Sequence, residues 1–261
     1  MSVTMIRKIK SRLEPLVKRP SNVNAVISDL FVWRSSPEWD TYFDFIDLPG
    51  LFDPGLPSAT TDVKIVFFDA EGEILFEKKQ SIHTHKRNTM HISKELSHFE
   101  KHIGTFAIFH GTTPQTVQEA GSFISDRGYI SYRYKNSDIR SYMHGNLDAI
   151  AYLGDGQYES LVSKCFLKRQ YALQFLFEKN STYEIIIINP TQSKQVISMA
   201  YLSAKDSARL NEQVYRLAPR ALRVIKLNCE DDQCIIFDSK IPMARPMVYR
   251  LEEKHCEVFH G

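Results

Sequence analysis

The chain is poor in the residues from which most recognisable catalytic signatures are built. Only 11 of its 261 residues are glycine, and neither a phosphate-cradling loop nor a dinucleotide fingerprint occurs, which argues against the common nucleotide-dependent enzymes. A Gly-x-Ser-x-Gly elbow and a His-Glu-x-x-His helix are missing too. No apolar run approaches the ~20 residues that a membrane-spanning helix needs. The net charge is only +2, without the basic excess of a nucleic-acid binder, so nucleic acid is not an expected partner. Cys165, Cys229, Cys234 and Cys256 form no C-x-x-C pair. With no secretory signal pattern, they predict reduced thiols and a cytoplasmic location. No cofactor is expected.

What is present is the material of a core. Hydrophobic residues make up 43% of the chain and aromatics 11%, and the length suits two small domains. Residues 1–20 stand apart. Met5, Ile6, Ile9, Leu13, Leu16 and Val17 recur near helical spacing among six basic residues and one acid, which predicts a basic amphipathic helix over residues 1–21. Pro20 stops it. Its apolar face suits an anionic membrane surface, a protein partner or the chain's own core; the first would make the protein peripheral to a membrane.

After Asn22 the period becomes strand-like. Ala25 to Trp33, Trp39 to Ile46 and Gly104 to His110 are rich in aromatic and β-branched residues. Asp69-Ala70-Glu71-Gly72 is a hairpin signal between two such runs, and Leu48 to Pro57, with three prolines and two glycines, is a loop. Tyr183 to Ile188 reads as the most deeply buried strand, and strands resume before it at Cys165 to Phe177. Short strands at this spacing predict an all-β fold of two tandem β-sandwiches, residues 22–145 and 165–261, joined by a linker over residues 146–164.

The two halves echo each other. Arg127, Tyr132-Arg133 and His144-Gly145 in the first correspond to Arg245, Tyr249-Arg250 and His260-Gly261 in the second. The Arg-to-His spacing is 17 positions in one and 15 in the other, a difference one hairpin tip absorbs. The echo suggests internal duplication. It nominates Arg127, Tyr132, His144, Asn146, Arg245, Tyr249 and His260 as a ligand-binding group, because aromatic faces stack on sugar rings while Arg and Asn bond hydroxyls or carboxylates. A rival cluster is His83 and His85, which share one strand face, with His91 as a third metal ligand.

In the second half, Ile188-Asn189-Pro190, Leu217-Ala218-Pro219-Arg220 before Arg223-Val224-Ile225, and Pro246 ahead of a terminal His resemble, in that order, the small cytoplasmic β-sandwich family of sensory rhodopsin transducer proteins. The resemblance covers roughly Tyr171 to Gly261. It implies a non-catalytic sandwich that associates through its sheets, hence a homo-oligomer, and binds a small sugar-like ligand. The function expected is thus a binding or scaffolding protein for a carbohydrate or small anionic ligand. The alternatives are a metal-dependent enzyme built on His83, His85 and His91, or a structural adaptor held by residues 1–20.

Overall fold

The period-two pattern becomes strands almost throughout. The structure, a computed structural model, describes residues 18, 20–22, 25–47, 60–84, 86–110, 128–145, 148–241 and 246–260. The first half holds β1 (Val26–Asp29), β2 (Phe31–Arg34), β3 (Trp39–Ile46), β4 (Thr60–Asp69), β5 (Ile74–His83), β6 (Arg87–His91), the single turn α1 (Ile92–Glu95), β7 (Ile103–Phe109), β8 (Tyr129–Tyr134) and β9 (Ser141–His144). Next come β10 (Asp148–Gly154) and β11 (Gln157–Ser160). The second half holds β12 (Arg169–Ala172), β13 (Thr182–Ile188), β14 (Gln195–Ser203), β15 (Arg209–Leu217), β16 (Leu222–Asn228), β17 (Gln233–Ser239), β18 (Met247–Leu251) and β19 (Cys256–His260).

Two four-stranded sheets form the first sandwich, β2-β7-β4-β5 and β6-β3-β8-β9; two form the second, β12-β17-β14-β15 and β16-β13-β18-β19. Each strand of the second pair therefore stands where the strand ten places earlier stands in the first. The stretch expected as a linker instead supplies β10 and β11, which complete a three-stranded sheet with β1. Tyr158 of β11 donates to Glu77 of β5 at 2.5 Å, tying that sheet to the first sandwich. Of the strand material expected over residues 165–177, β12 forms, and the run from Ala25 to Trp33 breaks at Leu30 into β1 and β2. Residues 1–17 and 48–59, with the proposed helix and the Pro/Gly-rich loop, lie outside the described residues.

The Asp69–Gly72 hairpin forms as the sequence suggests. Asp69 Oδ1 accepts from the N–H groups of Glu71 and Glu73, both at 3.0 Å. Gly72 has φ +88°, and a Cβ there would lie 2.3 Å from the carbonyl oxygen of Pro219. The hairpin tip is thus pressed onto the turn between β15 and β16, where Leu222 N–H donates to Ala70 O at 2.9 Å. Only glycine satisfies both the left-handed turn and the close approach.

That contact belongs to a joint between the halves. On β13 the side chains alternate: Tyr183, Ile185 and Ile187 enter the second sandwich's core, whereas Ile186 and Ile188 join Leu222, Met247, Tyr249 and Cys256 in a cluster with the first sandwich. Burial on both faces explains why β13 reads as an unbroken apolar run rather than an alternating one. Within the joint, Arg34 Nη1 meets Glu184 Oε2 at 2.5 Å, and the pair is almost fully buried. The Arg34 guanidinium also lies 3.7 Å from the Trp39 ring and 5.1 Å from Tyr249.

Candidate functional site

Alternation decides which side chains of β6-β3-β8-β9 meet solvent. Trp39, Thr41, Phe43 and Phe45 of β3 point inward, the first three paired in register with Tyr134, Tyr132 and Ile130 of β8. The opposite face carries Asp40, Tyr42 and Asp44, beside Arg87, Thr89 and His91 of β6, Ser131 and Arg133 of β8, and Tyr142 of β9. It is a polar, aromatic, arginine-rich surface.

Its two carboxylates are committed. Asp40 accepts from Arg133 Nε at 3.0 Å and lies 3.1 Å from His91 Nε2. Asp44 accepts from Arg87 at 2.7 Å and from the Thr89 hydroxyl at 2.5 Å. Burial pushes both carboxyls up, but these hydrogen bonds and the charges of Arg133 and Arg87 outweigh it, so each titrates below its ordinary value. Tyr42 stacks on His91 with ring centroids 4.3 Å apart, and the Arg140 guanidinium lies 3.8 Å from the same ring. Among the described residues Arg140 has no carboxylate partner within ion-pair distance. Tyr129 and Tyr142 are 56% and 50% exposed. Ser131, placed between Tyr42 and Tyr142 by the pairing, is fully covered, and its hydroxyl finds no partner among the described residues.

Of the residues nominated from the sequence, His144 borders this face opposite Tyr129, and the other described ones lie elsewhere. Tyr132 and Tyr249 do meet, with centroids 5.2 Å apart, but both are 0% exposed. Tyr132 donates to Val32 O at 2.7 Å, and Tyr249 packs edge-on to Trp39. Burial raises both phenols well above their ordinary pKa, Tyr249 with the nearby Arg34 charge pulling the other way. His144 and His260 end β9 and β19, and their rings are 4.8 Å apart. Ser141 of β9 donates to Cys256 O of β19 alongside them. Tyr132 and Tyr249 therefore belong to the joint, and the two histidines meet beside it where β9 and β19 come together. Arg127, Asn146 and Arg245 lie outside the described residues.

The histidine cluster divides between two sheets. His83 ends β5, where its backbone bonds Asn88, while His91 on β6 is held by Asp40 and Tyr42. His85 lies outside the described residues. Among the described residues no group of three or more His, Cys, Asp or Glu stands where it could hold a metal ion.

A small cavity of about 200 Å³ opens in the second sandwich between Tyr171, Ile187, Ile197, Phe237, Ile241 and Pro246. It falls short of the roughly 300–1,000 Å³ of ordinary ligand pockets.

The Tyr–Arg face was missed because its residues are scattered along the chain. Asp40, Tyr42 and Asp44 read as ordinary alternation, and Arg140 lies in a polar connection. Only the pairing of β3 with β6 and β8 collects them. No known protein family's sequence profile matches this chain, and neither does any curated protein.

Proposed function

We propose that this is a non-catalytic binding protein that engages a carbohydrate, or another hydroxyl-rich ligand bearing an anionic group, on the open face of β6-β3-β8-β9. One observation carries the reading. Asp40 and Asp44 are paired directly with Arg133 and Arg87, whereas Arg140 rests on Tyr42 with no carboxylate in direct contact among the described residues and acts on Asp44 only through its charge. The face keeps a cation beside Tyr42, Tyr129 and Tyr142, a combination that suits stacking on a sugar ring and bonding of a carboxylate or sulfate. The resemblance of residues 171–261 to the sensory rhodopsin transducer family points to the same non-catalytic class.

We also infer that the two sandwiches arose by duplication. Support comes from the identical strand order of both pairs of sheets. The sequence echo follows it with an offset. His144 pairs with Tyr129, three residues before Tyr132, while His260 pairs with Met247, two before Tyr249.

The test is an array of neutral and acidic oligosaccharides probed with the full chain and with Arg140→Ala and Tyr142→Ala. Loss of one charge-assisted hydrogen bond costs about 1.5–3 kcal/mol, so Arg140→Ala is expected to weaken binding to acidic members roughly ten- to a hundredfold without changing the melting temperature. Failure of the wild type to bind any member, or binding indifferent to both substitutions, rejects this face as the site.

A further inference from the structure

The edge strand β15 has features that no ligand face requires. Among the described residues it bonds only to β14, and every residue from Arg209 to Arg216 is exposed or half-exposed. Leu210 is 57% and Val214 50% exposed, and Val196 lies beside them on β14. A nine-residue open edge is a template for another strand. Its topological counterpart β5 carries Lys78 and Lys79 at mid-strand, charges that repel an incoming copy, whereas β15 contains neither lysine nor proline.

The backbone shows which residues face the opening. Odd residues of β17 bond away from β14 (Leu173 N–H to Ile235 O, Gln233 N–H to Phe177 O), so odd residues of β14 bond to odd residues of β15. The Glu212 N–H is taken by the side-chain oxygen of its neighbour Asn211 at 2.7 Å. In an antiparallel ladder alternate residues direct their N–H and C=O groups to the same side. The even positions from Leu210 to Arg216 therefore present theirs to the open edge.

We propose that the partner of this edge is β15 of a second copy, paired antiparallel about a two-fold axis at Val214. Only certain registers place even residues opposite even residues. Centred on Glu212, two like carboxylates oppose each other. Centred on Gln213, Glu212 faces Val214 and keeps only its own-strand partner Arg209 at 2.8 Å, while Arg216 faces Leu210 and is left unanswered. Centred on Val214, Glu212 faces Arg216 of the other copy and Arg216 faces its Glu212, on either side of a Val214–Val214 contact. Directly opposed opposite charges and β-branched pairs are the stabilising units of a sheet. The self-complementary pattern Glu-x-Val-x-Arg is what a two-fold contact requires. The product is a continuous eight-stranded sheet with the two β15 strands at its centre.

Sedimentation velocity over a concentration series, on the full chain, tests this. The wild type is expected to dimerise. Glu212→Lys and Arg216→Glu each set like charges opposite each other twice per dimer, and each is expected to weaken association on the order of a hundredfold. The double variant Glu212→Lys/Arg216→Glu exchanges the charges and is expected to restore the dimer. All three changes are at exposed positions, and matching melting curves verify that the fold is kept. A wild type that stays monomeric throughout, single variants that dimerise normally, or a double variant that fails to recover would each overturn the proposal.

Discussion

On β3 the residues facing away from the sandwich are Asp40, Tyr42 and Asp44; on β13, which holds the same place in the second sandwich, they are Glu184, Ile186 and Ile188. The first set lies on the open Tyr–Arg surface. The second is covered by the first sandwich, together with Met247 and Tyr249 from β18. Strand order is the same, so topology does not decide what a sheet face becomes. The chemistry of alternate residues does. Each large apolar side chain buried at the joint contributes about 1.5–3 kcal/mol, while the polar residues of the open face gain little by being covered and stay available.

The largest effect that would break this comparison is at Tyr249, which touches Trp39 and Tyr132 across the joint. Tyr249→Ala is expected to cost about 3–5 kcal/mol in urea unfolding, as large aromatic truncations in cores do. Because β13 and β18 are buried on both faces, the loss should shift one common transition. A cost below about 1 kcal/mol, or a separate early transition for one half, would mean that the halves are merely tethered.

A smaller effect sharpens the contrast from the open side. Asp40 and Asp44 titrate below the ordinary 3.8. A depressed folded value gives stabilisation that is complete above the unfolded pKa and disappears as pH falls through the folded one. Melting temperature should therefore hold at pH 5–7 and decline below about pH 4. Asp44→Asn should remove part of that decline, amounting to about 1 kcal/mol for a pair whose arginine is largely exposed. An identical acid profile in the variant would show that the Arg87–Asp44 pair contributes nothing measurable.

Some of this was legible in the residues alone. Asp69 to Gly72 announced a hairpin through local turn chemistry, and Tyr183 to Ile188 announced burial through its unbroken apolar run. The echo of Tyr132 and Tyr249 was visible as well, but its meaning was not. Spacing along one strand does not tell which face a residue occupies, since a shift of one position reverses every side chain. Tyr132 bonds across its own sandwich, whereas Tyr249 faces out of its sandwich and into the other. The strands within residues 146–164 were missed for a related reason. Gly154-Asp155-Gly156 resembles a linker until β1 supplies the partner that makes its flanks a hairpin.

Two arginines measure the account most directly. Arg34 is buried against Glu184 at the joint, and Arg140 lies over Tyr42 on the open face. Urea unfolding of Arg34→Ala and Arg140→Ala, side by side, should show a loss of about 3–5 kcal/mol for the first, which leaves the buried Glu184 carboxylate with only the exposed Lys226 at 3.8 Å. For the second, half-exposed and resting on the Tyr42 ring, the loss should stay within about 1 kcal/mol. Comparable losses in the two variants would contradict the division into a structural joint and a face kept free for a ligand.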